Sequence, residues 1–184
     1  MVAGASVLVL VLLGGSGYLA SMASQADAAS TFGHLCINYG NGECASLPAG
    51  GTAFGGEKVQ FVSIGGAWRW NFNRTSDVSS ANHFPFNTQW LNTAYNGKPV
   101  YQLQLHADGT YCMANDSDNV VIRVCAPTNA QTWVNSGGWF INVAASDNHN
   151  ARYILSYNGN PGNFVTDEHA GDFNAALQNW GTNP

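Results

Sequence analysis

An all-β chain built from three repeated segments is what this sequence predicts, on three observations. After residue 30, short runs of alternating or β-branched residues recur every ten positions or so, separated by Gly, Asn, Asp and Pro, and helical periodicity is scarce. The tripeptide Gln-x-Trp in "NAQTW" (Gln131, Trp133) returns in "ALQNW" (Gln178, Trp180), and a degenerate form, "NTQW" (Gln89, Trp90), precedes both. Trp90 stands 43 residues before Trp133, which stands 47 before Trp180, so three Trp residues end three consecutive segments of similar length.

The candidate strands run in order as 34–39, 58–64, 67–73, 99–106, 110–115, 120–125, 138–145, 152–158 and 163–167. Between them, "ADGT" (107–110) and "YNGNPGN" (157–163) supply the Asp-Gly and Asn-Gly steps of tight hairpins. In "VYQLQLH" the alternation sets Val100, Gln102, Gln104 and His106 on one face and Tyr101, Leu103 and Leu105 on the other, a half-buried antiparallel strand. The same alternation sends Trp68 and Trp70 to one face and Arg69 to the other, so the two indoles either pack a core or make an exposed platform. Residues 73–87 carry no period and read as a long loop or insertion.

The first 29 residues differ in composition from the rest and read as a secretory signal peptide cleaved near Ala28. The apolar run Val7 to Leu13 is too short to cross a bilayer, and "ADA" offers the small-x-small pattern of a cleavage site. No Lys or Arg precedes the run, which leaves an uncleaved anchor, Val2 to Ala20, as the competing reading. Residues 30–184 then make one domain of ordinary size.

Only 9% of residues are charged and the net charge is −5, so no basic field exists to attract phosphate backbones, and nucleic acid is excluded as a partner. With the leader removed, no membrane association is expected. Cys36 and Cys44, and Cys112 and Cys125, form two sequence-local pairs in a chain that looks exported, and two disulfides closing short loops are expected. Scattered His residues and the lack of Cys-x-x-Cys argue against zinc.

In a strand or turn where residues i and i+2 share a face, the Gln-x-Trp tripeptide gives each repeat a large apolar plug and an amide that can satisfy backbone groups in the adjoining turn. Three such units about a pseudo-threefold axis close a barrel. Here the chain resembles the ricin-type β-trefoil, the R-type lectin family, whose repeats carry a first Cys, a β-branched strand, a second Cys and Gln-x-Trp. The likeness is most specific in the middle repeat, Gly109 to Trp133, with Cys112, Cys125, Gln131 and Trp133 in place. The first repeat is marked by "LCIN" (35–38) with Gln89 and Trp90, the third by "NFVTD" in place of the Cys-containing strand with Gln178 and Trp180.

The resemblance implies a shallow sugar pocket at each active repeat, made by an Asp two residues after the first Cys, an Asn beside Gln-x-Trp and an aromatic ring. The middle repeat lacks both polar groups, having Ala114 and Ala130 there. The first offers Asn38; the third offers Thr166 or, with a one-residue shift, Asp167, the preferred carboxylate, with Tyr157 and Asn160 nearby and Trp139 as a stacking face. The expectation is a secreted, extracellular, carbohydrate-binding β-trefoil that needs no cofactor. Its alternative is a secreted trefoil that binds a protein partner, as an inhibitor or assembly component, with its sugar sites lost. A glycoside hydrolase using the acids of "TDEHAGD" (166–172) is the weaker rival, since no catalytic residue pair can be assigned.

Overall fold

The computed structural model describes residues 31–37, 43–48, 52–117, 119–157, 164–168 and 180–183. Residues 1–29, with the expected signal peptide and its cleavage point, lie outside them, as do Asn38, Asn160 and Gln178.

The described strands fall into three groups of four. The first group is β1 (Thr31–Ile37), β2 (Glu43–Ser46), β3 (Gln60–Ser63) and β4 (Trp70–Asp77). The second is β5 (Pro99–Leu105), β6 (Tyr111–Asp116), β7 (Asn119–Val124) and β8 (Trp133–Ser136). The third is β9 (Trp139–Asn142), β10 (Tyr153–Tyr157), β11 (Phe164–Glu168) and β12 (Trp180–Asn183). Within each group the first strand pairs with the second, and the second with the third as a hairpin, all antiparallel. Fourth strands pass to the first strand of the next group, and the wall runs β12–β1–β4–β5–β8–β9. This is a β-trefoil: a six-stranded wall carrying three hairpins. The cysteines pair locally, Cys36 with Cys44 and Cys112 with Cys125.

Each fourth strand opens on a Trp. Trp70 and Trp133 are fully buried, and their indole Nε1 groups donate to the carbonyls of Ala45 (2.8 Å) and Met113 (3.1 Å), the second residues of matching pairs in β2 and β6. The mark of the first repeat is therefore Trp70, not Trp90. Trp90 lies in a short helix, α1 (Gln89–Ala94), 43% exposed, with its Nε1 donating to Asn150 Oδ1 at 3.1 Å. Gln89 Nε2 donates to the Ser80 carbonyl, a contact within the insertion rather than a repeat motif. In the first repeat Trp68 occupies the Gln position, partly buried against the core, while Arg69 is exposed, so "WRW" packs the barrel.

Two apolar cores sit on opposite sides of the sheet. The first gathers Leu35, Trp70, Leu103, Met113, Trp133 and Leu155 inside the barrel and under the hairpins. The second is a row of directly paired residues, Val100, Val134, Ile141 and Ile154, roofed by Val143 and by Val78, Phe86, Leu91 and Tyr95 of the insertion, which runs over 78–98 between β4 and β5 and not over the expected 73–87. Alternation placed Val100 on a polar face with Gln102; the insertion covers that end of the face and buries it. The expected strand 138–145 stops at Asn142, whose Oδ1 accepts the Ala145 N–H at 3.0 Å and starts a helix, α2 (Val143–His149). Asp147 of α2 holds the insertion down, its two carboxylate oxygens accepting the backbone N–H groups of Asn87 and Thr88, each at 3.0 Å.

These placements separate the three tryptophans. Trp70→Ala and Trp133→Ala each vacate a fully buried indole and are expected to lower unfolding free energy by about 3–5 kcal/mol. Trp90→Ala, at the surface, is expected to lose less than about 1 kcal/mol; urea unfolding of the three variants reads the difference.

Candidate functional site

The three hairpins share a register that relocates the sugar positions the sequence pointed to. Cys44 pairs with Cys36 and Val62, Cys112 with Gln104 and Arg123, and Ile154 with Ile141 and Asp167. Cys44, Cys112 and Ile154 are thus counterparts, and the position two residues on, where the family's acid stands, holds Ser46, Ala114 and Ser156. All three are buried. Ser46 Oγ accepts the Trp68 backbone N–H at 2.8 Å, and Ser156 Oγ donates to the Ile154 carbonyl at 3.2 Å.

"NFVTD" forms β11, the counterpart of β7, so the counterpart of the Cys-containing strand β6 is β10, and Asp167 takes the place of Arg123. Asn38 follows Cys36 of β1, whereas the matching cysteine is Cys44 of β2. The backbone brings Tyr157 and Asp167 onto one hairpin, three rungs apart. Trp139 opens the neighbouring β9, partly buried against the second core. Gln131 fastens the turn after β7: its Oε1 accepts the Ala126 N–H (2.8 Å) and its Nε2 donates to the Val124 carbonyl (2.9 Å).

A groove of about 420 Å³ opens elsewhere, between the insertion and the segment that Gln131 secures. Tyr101 and Gln102 of β5 floor it; Thr75, Ser76, Phe84 and Pro85 make one wall, and Ala126, Pro127, Asn129 and Thr132 the other. Its first wall forms where β4 bulges between Arg74 and Ser76 and the chain then folds back through reciprocal backbone bonds between Ser79 and Phe84. The floor is fixed by Gln102, whose Nε2 donates to the Ala126 carbonyl (2.9 Å) and to Gln131 Oε1 (3.3 Å).

Phe84 is 42% exposed on one wall. Ser76 lines the groove, but its Oγ is buried away from the space. No charged residue lines the space. An aromatic ring, hydroxyls and amides without charge match a neutral polyhydroxylated ligand. Among the described residues no three His, Cys, Asp or Glu side chains converge where a metal ion would sit.

Neither a family model nor a curated protein matches this chain. Among solved structures, the β-trefoil lectin of the Vibrio vulnificus hemolysin/cytolysin, solved with N-acetyl-D-lactosamine bound, superposes with a TM-score of 0.59 at 18% identity, over 84% of this chain and 95% of that one. The chain shares its fold with a β-trefoil lectin. A mosquitocidal holotoxin aligns with a TM-score of 0.57 at 15% identity, over 82% of this chain and 17% of its own. The Haemophilus ducreyi cytolethal distending toxin gives 0.55 at 12%, over 95% of each. At such identities the likeness establishes the fold and nothing further.

Charge is sparse outside the groove as well. Arg74 pairs with Asp77 and Arg123 with Asp116, and both pairs are about half exposed, where an ion pair adds little stability. On the β1–β4 wall, burial and then the neighbouring Arg69 guanidinium push the His34 imidazole below its usual 6.5, opposed by hydrogen bonding at the Trp68 backbone. The unfolded chain therefore takes up this proton first as pH falls, so stability declines below about pH 6.5 and levels off once the folded protein also binds it. His34→Gln, which keeps an acceptor for Arg69, is expected to flatten that slope in urea unfolding between about pH 7.5 and 5.

Proposed function

We propose that this protein is a secreted carbohydrate-binding β-trefoil whose ligand surface is the groove between the insertion and the 125–132 segment. The uncharged groove with Phe84 exposed on its wall carries this reading. A sugar ring laid on Phe84 gains about 0.5–1.5 kcal/mol from the aromatic contact, and its hydroxyls meet Asn129 and Thr132. Fold likeness to a sugar-bound lectin supports the ligand class. The buried Ser46, Ala114 and Ser156 turn attention away from the family's own pockets. Export, and one domain over residues 30–184, rest on the leader and the two disulfides.

The loss of the family's acid at all three counterpart positions also favours a second reading, in which the same surface binds a protein partner. Asp167 with Tyr157 on the β10–β11 hairpin is the competing sugar position, and substitution separates it from the groove. A glycan array followed by calorimetry on the best neutral oligosaccharide is expected to show binding that falls about five- to tenfold in Phe84→Ala and is unchanged in Asp167→Ala. Absence of any neutral glycan binding at millimolar concentration would leave the protein-partner reading in possession; loss confined to Asp167→Ala would move the site to the hairpin.

A further inference from the structure

On the outer wall of β1, β4 and β5, at the opposite end of β4 from the groove, Phe32 is 47% exposed and stacked on the exposed ring of His106, with centroids 4.4 Å apart and planes 11° from parallel. The Arg69 guanidinium carbon lies 5.7 Å from the centre of the Phe32 ring. Arg69 Nε points to His34 Nε2 at 3.4 Å, which orients the fork and leaves its terminal nitrogens without a carboxylate partner among the described residues. His106 Nδ1 is 2.7 Å from Asn71 Oδ1, so that nitrogen carries the proton and Nε2 remains for another group. Asn71 and Asn73 converge on Gln104, making a row of amides beside the rings. Asp108, the carboxylate of the turn after β5, accepts the Thr110 N–H at 3.0 Å.

We propose that Arg69, Phe32 and His106 form a second binding subsite, for the carboxylate and apolar face of an acidic monosaccharide. A guanidinium held by its Nε presents two terminal nitrogens in the geometry of a bidentate carboxylate contact. The outer face of the exposed His106 ring, backed by Phe32, supplies the stacking surface that a pyranose ring needs, and the neighbouring amides and His106 Nε2 meet its hydroxyls. An anion alone would call for more cations and no ring; a neutral sugar would leave Arg69 unused. The subsite does not depend on the groove, and sialic and uronic acids are two sources of the same chemistry.

Titration calorimetry of the purified protein with glucuronate, methyl glucoside, N-acetylneuraminate and inorganic sulfate decides it. Glucuronate or N-acetylneuraminate is expected to bind at least about tenfold more tightly than methyl glucoside, and the better of the two acids identifies the source. Arg69→Gln is expected to lose about tenfold in that affinity and Phe32→Ala several-fold, while Phe84→Ala leaves it unchanged. Both substituted side chains are exposed, and near-ultraviolet circular dichroism verifies the fold of each variant. Equal affinity for the acidic and neutral sugars, equal affinity for sulfate, or full retention in Arg69→Gln would each overturn the proposal. Because Phe84→Ala and Arg69→Gln act on separate surfaces, failure of one reading is distinguishable from failure of the other.

Discussion

A buried indole N–H must find an acceptor, and the repeat is organised around meeting that need. Left unpaired inside the barrel, each such donor would cost about 1–3 kcal/mol. Trp70 and Trp133 meet the requirement in the same way, by donating to a backbone carbonyl of the hairpin strand in their own repeat. The bond runs from the first residue of the fourth strand to the residue after a disulfide cysteine in the second, so it fixes both the depth of the indole and the rung at which the hairpin meets the barrel. With that rung set, Ala45, Met113 and Leu155 are counterparts pointing into the core, and all three are fully buried.

The insertion between β4 and β5 uses what the repeat leaves open. A barrel strand exposes one face, and the row Val100, Val134, Ile141 and Ile154 would present that face to water as an apolar stripe. Covering it with Phe86, Leu91 and Tyr95 builds a second core, and Asp147 and Asn92 satisfy the backbone of the covering segment; Asn92 is itself fully buried, bonding Phe86 through both its oxygen and its nitrogen. The groove is a by-product of that covering. Its Phe84–Pro85 wall is held at a fixed distance from β5 because Phe86, the next residue, is locked into the second core.

Much of this was legible in the residues. Nine of the twelve described strands, the local cysteine pairs and the Trp133 repeat mark follow from alternation, turn residues and spacing, because each is a local signal; β2, β8 and β12, four residues each, are too short to show a period. Trp70 was hidden for two local reasons: Trp68 stands where the Gln belongs, and the insertion stretches the distance to Trp133 to 63 residues, which made Trp90 look like the better match. The third hairpin misled in a different way. "YILSY" and "NFVTD" are both plain β sequences, and without cysteines only the ladder tells which one plays the part of β6. α2 was missed because "VAASDNH" continues an apolar strand without a break, and the switch is made by the Asn142 cap. The groove was out of reach altogether: its walls come from residues 75–85 and 125–132, and what distinguishes it is the absence of charge, a property of the folded surface.

The ladder of β4 with β5 separates the two surfaces proposed above. It has seven rungs, with Ser76 near one end, while Arg69 immediately precedes Trp70 at the other. At about 3.3 Å per residue the two lie roughly 20 Å apart, further than a monosaccharide reaches. The bulge at Arg74/Ser76 turns the groove end away from the regular alternation that sets Phe32, Asn71 and Gln104 in one row, so the two ends present different chemistry from the same pair of strands: neutral hydroxyls and amides at one, a guanidinium over rings at the other. The hairpin pockets that serve the ricin-type family depend on one exposed acid per repeat, and here that position is occluded three times over. Sugar recognition by this chain would therefore depend on the insertion and the outer wall, features absent from the threefold pattern, and changes at either would leave the indole bonds and the core they organise untouched.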